Sequence, residues 1–327
     1  MSTVGPSQPS PPPARTPSHV ERHTEDFDYT FVGSPVDVVT MTRPGAALIG
    51  GASGPDPAFR FLLDHGGGGD VVVLCANEPD GYNEYFQSLG PVNSVATVVT
   101  RTRQAAFDPF VVEQVRNAEV IFLQGGDQAK YAERWQGTPL QDALNDAAAR
   151  GVPIGGSSAG LAVMADRPFL ALTGGVSSGP ALADPCGPDV TLGRDFLALP
   201  HMRHVVTDTH FHERDRMGRL VTFVAHVAAE GGPALGVGVD EHTALMVEGD
   251  GKATVTGPGS VYFLKAPGAP EQLIPGYPLR FCQVSVFRAR EGDGFDFGTW
   301  QGSGGEHYTL GARDGRLHSS RGDAGPY

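Results

Sequence analysis

The sequence predicts an α/β fold: a mostly parallel sheet with helices on both faces, a nucleophile elbow at one strand–helix turn, and antiparallel hairpins at one edge. Three observations carry that expectation. Short apolar runs at residues 46–51, 70–76, 95–100, 119–126 and 152–157 alternate with stretches of helical apolar spacing. A parallel sheet needs this alternation, because its strands are buried on both faces and each crossover helix buries one stripe. Gly51, Gly125–Gly126 and Gly155–Gly156 close three of these runs, at the strand ends where open α/β sheets gather their ligands. Finally, short apolar runs separated by Gly-Asp-Gly and Gly-Pro-Gly fill residues 234–265, the signature of hairpins.

In chain order, residues 1–28 read as a disordered tail, since Pro-Ser-Pro-Pro-Pro-Ala-Arg at residues 9–15 builds no packed core. Helical spacing places helices over Asp56–His65, Tyr82–Leu89, Asp108–Asn117 and Pro139–Arg150. A Gly/Ser/Pro-rich loop follows at residues 173–190, then a strand over 202–211 and a helix over 213–229. Residues 266–327 read as loops with one further strand, FCQVSVFRA. The division expected is a tail at 1–28, a single α/β domain at 29–300, and a Gly-rich extension at 301–327 packed on it.

The chain has 327 residues and a formal net charge of -13, a surface that repels phosphates and argues against nucleic acid as a partner. Cys75, Cys186 and Cys282 are widely spaced and odd in number, which suits a reduced protein of the cytoplasm rather than a disulfide scaffold. No apolar run reaches the 18 or so residues of a membrane span. No basic-then-apolar leader is visible at the N-terminus.

The chemistry is expected in VPIGGSSAGLAVM, a strand, a tight turn and a helix start. Gly156-x-Ser158-x-Gly160 within it has the spacing of a nucleophile elbow, which projects a serine hydroxyl above the sheet. The amide of Ala159, at the helix start, is then aimed where an oxyanion would form. A serine nucleophile needs a base, and His210 in DTHF ends a predicted strand on the same rim. His210-x-His212, with Asp208 or Glu213, also permits a metal reading, but a serine elbow has no part in that mechanism, and no metal or cofactor is expected. In FLQGGDQ a strand runs into Gly125–Gly126, so Gly126 N–H is a second candidate oxyanion donor, with Asp127 capping the next helix. Arg214, Arg216 and Arg219 surround the helix start after His210.

Taken together, GGDQ (125–128), GGSSAGLAVM (155–164), DTHFHERDRMGRL (208–220) and GVGVDEHTALMV (236–247) resemble the cyanophycinase family. That family belongs to a group of serine peptidases that includes aspartyl dipeptidases, with a sheet similar to class I glutamine amidotransferases. The resemblance implies exopeptidase hydrolysis of cyanophycin, an aspartate–arginine polymer, to β-aspartyl-arginine, and a homodimer. It makes Ser158 the nucleophile, His210 the base, Gly126 and Ala159 the oxyanion hole, and Gln128, Asp208, Arg216 and Arg219 the substrate pocket.

The resemblance further implies a glutamate between serine and histidine to orient the base. That interval carries Gly179–Pro180 where the glutamate is expected, with Asp184 the nearest carboxylate and Asp189 the next. Asp184 is therefore the candidate acid, with Asp189 or no acid as the alternatives. A missing acid would instead suit a binding protein that kept the pocket and lost turnover. An aspartyl dipeptidase is a further alternative. An α/β-hydrolase esterase would leave DTHF and GGDQ without a purpose.

Overall fold

The computed structural model describes residues 18–79 and 81–327. A hairpin of β1 (Ser18–His23) and β2 (Phe27–Gly33) comes first. The chain then runs β3 (Gly45–Ile49), α1 (Asp56–His65), β4 (Asp70–Cys75), α2 (Tyr82–Leu89) and β5 (Ser94–Thr100). Next come α3 (Pro109–Asn117), β6 (Val120–Leu123), α4 (Gln128–Trp135), α5 (Pro139–Arg150) and β7 (Ile154–Ser157). The elbow helix α6 (Ala159–Ala162), α7 (Ser178–Ala183), β8 (Val205–Asp208), α8 (Met217–Ala229) and β9 (Leu235–Val239) follow. The remainder is β-structure: β10 (Ala244–Glu248), β11 (Lys252–Thr256), β12 (Val261–Lys265), β13 (Phe281–Ala289), β14 (Gly294–Asp296), β15 (Gln301–Ser303), β16 (Glu306–Arg313) and β17 (Arg316–Ser319).

These strands form two sheets, in the orders β1-β2-β5-β4-β6-β7-β3-β10-β11-β14-β15 and β17-β16-β13-β12-β9-β8. The centre of the large sheet, β5-β4-β6-β7-β3, is parallel. Helices cover both of its faces, as expected. The alternation along β4 shows how: Val71 and Val73 pack in the cluster containing Phe59, Leu62 and Phe86 of α1 and α2. Val72 and Leu74 pack with Val111, Trp135 and Leu144 of α3, α4 and α5. A period of two along the strand thus separates two hydrophobic layers.

Antiparallel strands flank this centre on both edges rather than one. At the far edge lie β10, β11, β14 and β15; at the near edge β2 pairs with β5 and carries β1. The expected tail at 1–28 is therefore corrected from residue 18 onward. Phe27 and Tyr29 of FDYTFVG are buried in one hydrophobic layer of the sheet and Val32 in the other. The Pro-rich run at 9–15 lies outside the described residues. Beyond residue 266 four strands accompany FCQVSVFRA where loops were expected, and the Gly-rich stretch after Gly302 is pinned by β16 pairing with β13.

Candidate active site

The two sheets meet at the carboxyl ends of β7 and β8. Between β6 and β3, β7 pairs Ser157 with Ile49. Ser158 follows with φ 52° and ψ -116°, a backbone region that a residue with a side chain occupies only under tertiary constraint. The constraint is visible: Ser158 N–H donates to Ile49 O at 3.1 Å. The turn is also compressed against β6. A Cβ at Gly160 would lie 2.0 Å from Leu123 O, so no other residue fits there. This is the geometry of a nucleophile elbow.

His210 arrives from the other sheet. After β8 ends, His210 takes φ 44° and donates its N–H to Gly50 O at 2.7 Å, while Phe211 N–H donates to Val239 O at 3.2 Å. The imidazole packs over Gly51, where a Cβ would meet the ring at 2.4 Å and φ is +120°. Only glycine leaves space for the ring here. His210 Nε2 then lies 2.8 Å from Ser158 Oγ.

The other ring nitrogen, Nδ1, lies 2.5 Å from Glu241 Oε1. A carboxylate only accepts, so this contact places the proton of the neutral imidazole on Nδ1 and leaves Nε2 free to accept from the serine hydroxyl. Glu241 occupies the passage from β9, in the small sheet, to β10, in the large one. Its N–H donates to Glu213 Oε2 at 3.1 Å. Neighbouring Asp240 accepts from Ser260 N–H at 2.8 Å and His212 N–H at 3.0 Å. Burial holds the His210 pKa below its ordinary 6.5, outweighing the upward pull of the Glu241 hydrogen bond. The same hydrogen bond is the main reason the Glu241 carboxyl is held below its ordinary 4.5.

Asp184, the acid the sequence suggested, stands elsewhere: its Oδ1 accepts from Gly276 N–H at 3.0 Å. Asp189 is exposed. Among the described residues the carboxylate on His210 Nδ1 comes after the histidine in sequence, which corrects the expectation of an acid between serine and histidine. The sequence did carry one signal for it, since LGVGVDE is an apolar strand ending in two acids, at the kind of strand end where the other site residues were sought.

The remaining expected site residues divide into two groups. Gly126 lines a cleft of about 480 Å³ with Asn77, Tyr82, Gln124, Ser158 and His210. Asn77 Oδ1 accepts from Asp127 N–H at 3.3 Å and so braces the Gly125–Gly126 turn, while Asp127 Oδ1 accepts from Ala129 N–H and caps α4. Ala159 opens α6, where the first amides have no partner one turn back. Gln128 is the first residue of α4 and half-buried, outside the cleft lining.

Asp208 and Arg219, expected to bind substrate, are instead joined to each other. Arg219 Nε donates to Asp208 Oδ2 at 2.7 Å and Nη2 to Oδ1 at 2.6 Å. The pair is only 3% and 4% exposed, and the guanidinium also reaches Val176 O and lies over Phe169. Arg216 sits closer to the base, with Nη1 donating to Thr209 O at 2.7 Å. Burial pushes its pKa down to about 10. The His212 ring lies against Tyr327, with centroids 4.8 Å apart.

A family model described as Peptidase family S51 matches residues 80–255, more than half of the chain. A cyanophycinase of Geminocystis herdmanii is 29% identical over 231 residues, which cover 67% of this chain and 79% of the relative. A cyanophycinase of Thermosynechococcus vestitus is 33% identical over 199 residues, covering 58% of this chain and 56% of the relative. The chain thus spans little more than half the length of the second. The crystal structure of a peptidase from an acI-B1 Actinobacterium superposes with a TM-score of 0.52 at 17% identity, over 78% of this chain and 98% of that one, a likeness of fold.

Proposed function

This chain belongs to peptidase family S51 and is a serine-type peptidase, and from that premise we propose that it hydrolyses cyanophycin or related β-aspartyl peptides through an acyl-enzyme at Ser158. The observation that supports the reading is the unbroken line Ser158 Oγ–His210 Nε2–His210 Nδ1–Glu241 Oε1 at the edge of an open cleft.

In this reading Ser158 Oγ attacks the aspartyl carbonyl carbon as its proton passes to His210 Nε2. Glu241 holds the ring in the required tautomer and balances the imidazolium charge. The N–H groups of Gly126 and Ala159 receive the developing oxyanion. Collapse breaks the C–N bond, the leaving amine takes the proton from His210, and water attacks the acyl-enzyme by the reverse proton route. Arg216, beside the base and not neutralised by a tight bidentate partner, is the cation best suited to a substrate carboxylate. Asp208 and Arg219 serve this pocket by holding its wall, since each consumes the other's charge. The reading also carries a homodimer and a cytoplasmic location, checked by light scattering and by cell fractionation.

The idea of a binding protein without turnover rested on a missing acid, and the Glu241 carboxylate on Nδ1 takes away that motive. Incubation with purified cyanophycin is the test, with mass-spectrometric detection of β-aspartyl-arginine and parallel labelling by a fluorophosphonate. Release of the dipeptide, stoichiometric labelling at Ser158 and loss of both in Ser158→Ala are expected. Cleavage of short aspartyl dipeptides alone would favour the dipeptidase alternative. No cleavage of any aspartyl peptide, with Ser158 unlabelled, overturns the proposal.

A further inference from the structure

The segment from His210 to Arg216 carries the base, and three backbone hydrogen bonds lie within it: Arg214 N–H to His210 O at 3.1 Å, Asp215 N–H to His212 O at 3.0 Å and Arg216 N–H to Phe211 O at 3.0 Å. His210 and Asp215 both have positive φ, 44° and 47°. Helix α8 begins at Met217 with Arg216 at its N-cap and no side-chain cap from that residue. A helix start leaves its first amides without partners, and here they are met by two distant side chains. Ser178 Oγ accepts from Gly218 N–H at 3.0 Å and Arg219 N–H at 3.2 Å. Tyr327 Oη accepts from Met217 N–H at 2.8 Å.

The same Tyr327 hydroxyl donates to Asp215 Oδ1 at 2.9 Å, and Ser178 Oγ donates to the Asp215 carbonyl. Asp215 is thus gripped by side chain and backbone in its left-handed conformation. The Tyr327 ring closes the other side of the segment, 5.9 Å edge-on from Phe211, 4.8 Å from His212 and 5.8 Å from Tyr262. Tyr327 is itself anchored. Arg321 Nη1 donates to its carbonyl, and Tyr308 Oη donates to Pro326 O at 2.6 Å. Tyr327 and its anchors Tyr308, Arg321 and Pro326 lie beyond residue 255, where the family match ends.

We infer that Tyr327 is a positioning residue: its hydroxyl locks the 210–217 segment so that His210 stays on the Ser158–Glu241 line and Arg216 stays on Thr209 O. The path is short. Asp215 immediately precedes Arg216 and donates its N–H to His212 O at 3.0 Å, Arg216 Nη1 bonds the carbonyl next to His210, and Arg214 N–H donates to His210 O at 3.1 Å. The inference rests on the peptidase reading for its consequence to turnover, but not for the order of the segment.

Tyr327→Phe is the test, because it keeps the ring contacts and removes both hydrogen bonds. On cyanophycin, kcat is expected to fall about tenfold while KM stays within about twofold, since the hydroxyl touches no substrate. Fluorophosphonate labelling of Ser158 is expected to slow in proportion. Hydrogen exchange of the 210–217 amides is expected to quicken about tenfold, with exchange in β4 and β6 unchanged. Wild-type exchange and wild-type labelling in Tyr327→Phe overturn the inference. Exchange that quickens in a chain whose wild type neither labels nor cleaves leaves the lock standing and removes the peptidase reading. If the variant does not fold, the wild type decides: exchange at Met217 N–H as fast as in an open loop overturns the lock.

Discussion

Glu241 and His210 are joined at the edge of the small sheet: the carboxylate follows β9 and the histidine follows its parallel neighbour β8, while His210 N–H also hooks onto Gly50 O at the end of β3 in the large sheet. Their contact therefore depends on the pairing of β8 with β9, about thirty residues apart in the chain, and on no local segment. Glu241→Gln keeps the shape of the side chain but presents an amide that cannot balance an imidazolium. We expect kcat to drop by about 10²- to 10⁴-fold with KM little changed. Asp184→Asn should leave steady-state kinetics as in the wild type, and equal loss in both variants would refute the assignment of the acid.

The pH dependence follows from the direction of the His210 shift. Burial lowers its pKa below 6.5, so more of the base is neutral than protonated at pH 6.5 and the greater part of the activity loss should fall below that value. The acid limb of kcat/KM is expected to have its midpoint under 6.5. Glu241 pulls the pKa upward, so in Glu241→Gln the limb should move to still lower pH. A midpoint above 6.5 in the wild type would contradict the balance in which burial wins. Because the unfolded chain binds this proton more readily than the folded one, His210 also makes stability fall on acidification from about 6.5 down through its lowered folded value.

Gly51 tests the packing of the base. A methyl there would meet the His210 ring at 2.4 Å in a backbone conformation with φ +120°. Gly51→Ala should displace the ring from Ser158, slow fluorophosphonate labelling by at least about a hundredfold, and cost roughly 1–3 kcal/mol of stability in chemical denaturation. Labelling at the wild-type rate would show that the ring position is not set by this contact.

The Asp208–Arg219 pair should behave as structure. Asp208→Ala leaves a guanidinium buried without its partner, a loss of about 3–5 kcal/mol. Asp208→Leu combined with Arg219→Leu should be more stable than either single variant in urea titration. Arg216→Ala, by contrast, is expected to raise KM for cyanophycin more than it lowers stability. A double variant as unstable as the sum of the singles would mean that the two residues do not act as a pair.

Much of this protein was legible in its sequence because the signals were local. Strand–helix alternation gave four helices within a residue of their observed bounds, since amphipathic spacing is set by the period of the element itself. Ser158 was legible for the same reason: strand, glycine turn and helix start are contiguous, and Gly156, Ser158 and Gly160 report the strained backbone between them. The β1–β2 hairpin was missed because its strands sit beside a Pro-rich run, and pairing with β5, far along the chain, is what orders FDYTFVG. Only the tertiary structure joined Glu241 to His210, Asp208 to Arg219, and Tyr327 to Asp215. Glu241 meets His210 from 31 residues away and Tyr327 meets Asp215 from 112, while Asp208 and Arg219 join a strand to the helix packed on it; contacts made by packing leave no periodicity in either segment.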